Sequence, residues 1–197
     1  MVDQVTTAYS QRSAEYTELF GSMRHVHPSD LALVTTWAAS VDGPVIDAGC
    51  GPGQWTAFLT ERGLSARGVD RVPEFVARAR RSYPGVPFAL GSLDALDAAT
   101  GSSGGVLAWY SLIHREPSTI QDALQEFHRV LKPGGALLIG FFEGAALEPF
   151  DHAVVTAHRW PVDRLAAELE LAGFGVHEKH VRVTAGERPQ AAIWARA

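Results

Sequence analysis

Two carboxylates and a run of glycines are the residues most able to do chemistry in this chain. Asp47 closes the apolar pair Val45-Ile46, and Gly49, Gly51 and Gly53 follow at alternate positions, with Ala48, Cys50 and Pro52 between them. Asp70 ends the next apolar stretch, nineteen positions past Gly51. Glycine lets a backbone turn sharply and approach a ligand with no Cβ in the way. A turn of this kind, at the carboxyl end of a strand in an α/β sheet, lies where ligands bind. The spacing is G-x-G-x-G and not the G-x-G-x-x-G that aims helix N–H groups at a pyrophosphate, which disfavours a nucleotide-dependent oxidoreductase. An acid two residues before the first glycine suits an ammonium better than a phosphate. An acid about 20 residues further on suits ribose hydroxyls. An adenosine carrying an amino-acid tail satisfies both.

The run V-I-D-A-G-C-G-P-G, followed by G-V-D, resembles motif I and the next acidic strand end of the class I S-adenosylmethionine-dependent methyltransferases. The likeness continues in order through Gly91-Ser92-Leu93-Asp94, Trp109-Tyr110-Ser111-Leu112-Ile113-His114 and Leu131-Lys132-Pro133-Gly134-Gly135. It covers about residues 43–197 and is closest to the small-molecule, type 11-like branch. The resemblance implies an α/β fold, a doubly wound, Rossmann-like seven-stranded sheet of order 3-2-1-4-5-7-6 with strand 7 antiparallel and helices on both faces. It implies S-adenosylmethionine as methyl donor, S-adenosylhomocysteine as product and no metal. The cofactor contacts it implies fall on Asp47, Ala48, Gly49, Cys50, Gly51 and Gly53 of the turn, on Asp70 with Arg71 beside it along the adenosine, and on Ser92 and Leu93 near the adenine. Tyr9, in a Y-(x)6-Y pair with Tyr16, is expected to cap the cofactor from a lid. Trp109 either contacts the sulfonium through its electron-rich face or packs in the core.

Methyl transfer from a sulfonium needs alignment and exclusion of water more than covalent help. An oxygen or nitrogen acceptor can still require a base, and a histidine near neutrality suits that role. His114, leaving strand four at the ligand end, is the first candidate. Tyr110, His114, His152, His158 and Trp160 are the expected acceptor contacts, the last three on a stretch, 143–160, that breaks the regular alternation after a central strand. A surface excursion with no specific role is the plainer reading of that stretch.

The elements that must position these groups are legible as periodicities. Tyr9, Tyr16, Leu19 and Phe20 mark a helix over about 8–22, and Ser29 is expected to cap a second one carrying Val34, Trp37 and Ala38. Residues 1–42 are thus expected to hold two helices, either simply packing or, as the resemblance implies, forming a lid, ahead of a core over 43–197 in a single domain 1–197. Helices are expected at 54–62, 73–82, 118–130 (with Ser118 and Gln121 as a capping box) and 163–172. Strands are expected at 65–69, 86–89, 105–109 and 136–142, with a terminal pair at 174–183 and 190–195. His177 and His180 fall on opposite strand faces by period, which argues against joint metal binding; His25 and His27 are too few ligands for a site.

The chain has 197 residues, net charge −5 and one cysteine. The charge argues against a general nucleic-acid or membrane surface, and the absence of an N-P-P-Y-type tetrapeptide after strand four argues against nucleic-acid amino methylation. A lone cysteine and the lack of a signal-like or spanning apolar run fit a cytoplasmic protein. The expected partner is a small-molecule methyl acceptor. Its identity, the atom methylated and the choice between monomer and dimer stay open. A cofactor-binding regulatory module without catalysis keeps the same motifs and remains the main alternative.

Overall fold

The computed structural model describes residues 4–197; the first three residues of the expected 1–42 segment lie outside them. Helix α1 (Gln4–Phe20) and helix α2 (Pro28–Ala39) precede the sheet. The central strands are β1 (Val45–Ala48), β2 (Ala66–Asp70), β3 (Phe88–Leu90), β4 (Ser103–Trp109) and β5 (Leu131–Glu143). The crossovers are α3 (Gln54–Glu61), α4 (Pro73–Ser82) and α5 (Ile120–Val130). After β5 come β6 (Glu148–Phe150), β7 (Ala157–Trp160), α6 (Val162–Leu171), β8 (Gly175–Arg182) and β9 (Gln190–Arg196).

Strands pair in the order β3-β2-β1-β4-β5, all parallel, and β5 continues into β9 and then β8, both antiparallel to their neighbours. The expected strands six and seven are thus β8 and β9. Chain order reverses between β1 and β4, and the crevice beyond their carboxyl ends is where a doubly wound sheet takes ligands. Helices α5 and α6 cover one face with Leu124, Phe127, Leu165 and Leu169, all essentially inaccessible. On the other face Trp37 of α2 and Trp55, Phe58 and Leu59 of α3 pack on Val45, Leu107 and Leu138.

Glycine has a packing role at the start of β4. A Cβ on Gly104 would lie 2.0 Å from the Asp42 carbonyl oxygen, and one on Gly105 would press on Val41 and Trp37. Bare backbone there lets the α2–β1 connection seat against the strand.

Several local expectations are corrected. Helix α2 is capped by His27, whose Nδ1 accepts from the Ser29 N–H, not by Ser29; Pro28 occupies the first helical turn, so the residue before it takes the cap. The Ser118–Gln121 capping box does not form. Residues 117–119 make a 3-10 turn, and the Gln121 amide instead donates to Glu168 on α6. The stretch 143–160, expected to break the regular alternation, holds two strands: β6 and β7 form an antiparallel pair, and β7 extends the sheet from the end of β5. A bulge between Val176 and Glu178 breaks the period of β8, and both His177 and His180 reach the Glu178 carboxylate, at 3.7 and 2.8 Å.

Candidate active site

The turn between β1 and α3 bends through three left-handed glycines, with φ of 81° at Gly49, 53° at Gly51 and 92° at Gly53. Their surroundings differ. A Cβ on Gly49 would stand 2.3 Å from the Ser111 Cβ, so this glycine lets the β4 loop close onto the turn. A Cβ on Gly53 would strike Phe88 and Ala79, so Gly53 seats α3 against its neighbours. Around Gly51 nothing lies within 4 Å. The bare backbone there faces open space, the condition for close approach of a ligand.

Asp47 is 1% exposed, and the Thr56 hydroxyl donates to its Oδ2 at 2.7 Å. Burial pushes its carboxyl up to about 7, against the Thr56 hydrogen bond and with a smaller push from Asp70. Asp70 holds the turn from the other side. Its Oδ2 accepts from the Gly51 N–H at 2.8 Å and its Oδ1 from the Val72 N–H at 2.8 Å. Burial raises its carboxyl too, opposed by these backbone donors. Cys50 is buried, and desolvation drives its thiol well above the ordinary range, so it remains a packed thiol and not a nucleophile. Ala48 is fully buried in β1.

Two chambers meet at this turn and share Tyr9, Tyr16, Gly49, Gly51, Trp109 and Tyr110 in their walls. One, of about 350 Å³, runs past Asp70, Arg71, Ser92, Leu93 and His114. The other, of about 470 Å³, runs past Asp47, Gln54, Trp55 and His152. The Gly91 N–H donates to the Asp70 carbonyl, tying the 91–94 turn to the end of β2, and Asp94 forms an ion pair with Arg115. The side-chain oxygens of Gln54 and Ser111 are buried without a hydrogen-bond partner. Buried polar atoms are normally paired, and orphaned ones beside a crevice are available to a ligand.

Helix α1 crosses the mouth of both chambers with no fully buried residue. Tyr9 packs on Tyr16 (5.3 Å between centroids), Phe75 of α4 (5.7 Å) and His114 (5.4 Å). Its hydroxyl lies 2.8 Å from His114 Nε2. The other ring nitrogen, Nδ1, lies 2.9 Å from the Thr156 carbonyl, which can only accept, so Nδ1 carries the proton. In the neutral ring Nε2 is therefore the acceptor, and the Tyr9 phenol donates to it. Burial raises the Tyr9 phenol, helped by Tyr16 and Asp70, and pushes Tyr16 up to about 12.

Trp109 sits on Gly140, where a Cβ would fall 2.9 Å from the indole, and 5.8 Å from Trp55. Tyr110 is the one described non-glycine residue with positive φ, at 56°. Such a backbone is uncommon outside glycine and concentrates at functional sites. Its hydroxyl donates to Gln190 Oε1 at 2.7 Å, an oxygen that also accepts from Arg182. Arg182 in turn pairs with Asp30 at 2.9 Å. Burial lifts the Asp30 carboxyl, opposed by Arg182 and His27.

Of the expected acceptor contacts, Tyr110, His114 and His152 line the crevice. Burial pushes His152 down to about 4, with His114, Arg188 and Arg12 adding to the shift, so its imidazole is neutral at physiological pH. Trp160 is 2% exposed and belongs to the core cluster under α6. His158 is buried in β7, its backbone N–H bonded to the Ile113 carbonyl, and lines neither chamber. Both serve to anchor β7. Asp30, Arg182, Gln190 and Phe142 line the second chamber, yet nothing in the sequence singled them out. They come from α2, β8, β9 and β5: the pairing of β9 with β5 and β8 sets Gln190 beside Phe142 and Arg182, and Asp30 joins through its ion pair with Arg182. No group of three or more metal-ligating side chains occurs among the described residues.

Residues 45–135 match a family model described as a methyltransferase domain. The uncharacterized methyltransferase of Synechocystis sp. is 29% identical over 153 residues, 73% of this chain and 72% of that protein. The malonyl-acyl-carrier-protein O-methyltransferase of Enterobacter lignolyticus is 32% identical over 106 residues, 54% of this chain and 41% of that one. The 1,6-didemethyltoxoflavin-N1-methyltransferase of Burkholderia thailandensis, solved with bound 1,6-didemethyltoxoflavin and S-adenosylhomocysteine, superposes with a TM-score of 0.73 at 24% identity, covering 100% of this chain and 91% of that one. The chain is thus similar to methyltransferases over residues 45–135 and shares the fold of S-adenosylmethionine-dependent methyltransferases. It spans only 41% to 72% of the first three curated methyltransferases it matches. No helix among the described residues is long and apolar enough to cross a membrane.

Proposed function

We propose that the protein is a class I S-adenosylmethionine-dependent methyltransferase that moves the methyl group of S-adenosylmethionine to a small-molecule acceptor and releases S-adenosylhomocysteine, without a metal. The supporting observation is the meeting of two chambers at Gly51, with one buried acid opening on each side. The adenosine is assigned to the Asp70 side, near Arg71, Ser92 and Leu93. The aminobutyrate arm is assigned to the Asp47 side, within reach of the orphaned Gln54 oxygen. Asp47 facing the bend is unfavourable for a pyrophosphate, which speaks against a nicotinamide cofactor.

When bound, S-adenosylmethionine supplies a methyl group made electrophilic by its sulfonium. Trp109, shared by both chambers, is the aromatic face assigned to that cation. Residues 1–42 act as the lid, with Tyr9 and Tyr16 excluding water from above. His114 is the base: Thr156 holds the proton on Nδ1, which leaves Nε2 to accept one from the acceptor. The remainder of the second chamber, past Tyr110 and His152, favours an enzyme over a regulatory module, because it leaves room beside the cofactor for a second molecule. A cytoplasmic small-molecule enzyme with no nucleic-acid or membrane partner is consistent with net charge −5 and a single cysteine.

The test is two-part. S-adenosylhomocysteine should bind in a calorimetric titration, and the purified protein should transfer labelled methyl to at least one member of a broad acceptor panel. His114→Ala should lower turnover by about 10²–10⁴-fold, the usual contribution of a positioned acid–base group, and lower cofactor affinity far less. Tight cofactor binding with no transfer to any acceptor would favour the regulatory module.

A further inference from the structure

The second chamber continues outward into a vestibule of about 1060 Å³, with Tyr16, Phe20, Phe142, His152, Glu187 and Gln190 common to both. From Phe142 and His152 on its inner wall a chain of rings runs to Tyr110 of the second chamber and His114 of the first. Tyr110 lies 5.2 Å from Phe142, Phe142 5.9 Å from His152, and His152 5.0 Å from His114. Phe150 backs Phe142 at 5.3 Å and is itself braced by the guanidinium groups of Arg159 and Arg188, at 4.9 and 5.1 Å. At the mouth, Leu19 and Phe20 of the lid are 51% and 54% exposed and border the vestibule. Large apolar side chains left open at the entrance to a ring-lined cavity favour an apolar, flat occupant. The cations bordering the vestibule are largely matched: Arg12 pairs with Glu15 and Arg159 with Glu148, so the wall does not select a strongly charged molecule.

The chain itself supplies a phenol in front of His114. The Tyr9 hydroxyl occupies Nε2 at 2.8 Å with its ring edge-on to the imidazole. This shows the approach an aromatic hydroxyl takes to that nitrogen. The Tyr9 phenol is held protonated by burial, so it donates a hydrogen bond without giving up its proton.

Taking the methyl-transfer reading above as given, we propose that the acceptor is a flat aromatic compound bearing an acidic ring hydroxyl. It lies against Tyr110 and Phe142 and displaces the Tyr9 hydroxyl from His114 Nε2. The acceptor O–H proton passes to Nε2, the oxygen forms the new C–O bond, and the electron pair of the broken C–S bond stays on sulfur. The product is an aryl methyl ether.

The probe is 7-hydroxycoumarin, titrated by fluorescence into protein saturated with S-adenosylhomocysteine. Cyclohexanol serves as the saturated comparison and 7-methoxycoumarin as the version lacking the O–H. Hydroxycoumarin should bind at least about tenfold more tightly than either, the scale of an aromatic contact or a hydrogen bond. Phe142→Leu, and independently the exposed Phe20→Ser, should weaken it by about tenfold or less while S-adenosylhomocysteine affinity holds. Equal binding of cyclohexanol, no binding of hydroxycoumarin to the saturated protein, or indifference to both substitutions would overturn the aromatic acceptor. Failure of S-adenosylhomocysteine itself to bind would instead remove the methyl-transfer reading on which it rests.

Discussion

The Tyr9 hydroxyl and His114 Nε2 lie 2.8 Å apart although 105 residues separate them in sequence. This contact ties α1 to the loop after β4, on the wall of the first chamber. If α1 closes over the cofactor as proposed, the ring of Tyr9 should contribute more than its hydroxyl, because it packs on Tyr16, Phe75 and His114 together. Tyr9→Ala should therefore weaken S-adenosylhomocysteine binding by about 1–3 kcal/mol, the scale of a lost buried aromatic, and Tyr9→Phe by much less. Calorimetry on the two variants checks this. Equal losses would assign closure to the hydroxyl alone.

With the ammonium beside Asp47 as proposed, cofactor binding should depend on pH. The folded-state pKa of Asp47, about 7, lies above its ordinary value of 3.8 because the carboxylate is buried. In the empty protein this group thus contributes stability at low pH that is lost as pH rises through about 7. An ammonium beside Asp47 favours the ionised form, so the cofactor should bind with release of a proton below that pH. Apparent affinity should rise with pH up to about 7 and then level, approaching about tenfold per pH unit on the acid side. The thermal shift caused by S-adenosylhomocysteine should grow over the same interval. A flat affinity from about pH 5.5 to 7.5 would place the ammonium elsewhere.

Gly49 and Gly51 share a left-handed backbone but not an environment. Gly49→Ala meets the Ser111 Cβ at 2.3 Å and should destabilise the fold by about 2 kcal/mol or more, strain and overpacking together. Gly51→Ala meets nothing within 4 Å and should cost only about 1–2 kcal/mol of stability from its φ. Its methyl would project into the cofactor space, so affinity should fall well beyond that loss. Urea melts paired with calorimetry separate the two effects. Unchanged affinity in Gly51→Ala would mean that no ligand approaches that backbone.

Asp70→Ala removes the acceptor of the Gly51 and Val72 N–H groups along with the proposed ribose contact. Binding of S-adenosylmethionine should weaken by about 1–3 kcal/mol. Asp70→Asn retains an oxygen acceptor and should lose less. An unaltered calorimetric affinity in Asp70→Ala would take this residue out of the site.

The parts legible from sequence were those governed by local chemistry. Apolar runs ended by an acid or a glycine gave β1, β2 and β5, and the positive φ values at Gly49, Gly51 and Gly53 match the turn their spacing implied. The errors arose where a neighbour outweighed the local signal. Pro28 moved the α2 cap back to His27. Gln121 found a partner on α6 instead of closing a capping box. Strands β6 and β7 are only three and four residues long, and Pro149 within β6 argues against a strand unless it lies at an edge, which it does. Trp160 is expected to contact the acceptor because it lies in the stretch that follows a central strand, but the pairing of β7 with β5 turns it into the core. The Tyr110–Gln190–Arg182–Asp30 chain spans three elements and the loop after β4 and leaves no mark in any short window of sequence.

The most direct test is a crystal structure of the protein grown with saturating S-adenosylhomocysteine. The adenosine should lie along Asp70, Ser92 and Leu93, the aminobutyrate ammonium beside Asp47, and the sulfur near Trp109 above the bare Gly51. A ligand bound anywhere else, or a crevice still vacant at saturation, would contradict the account.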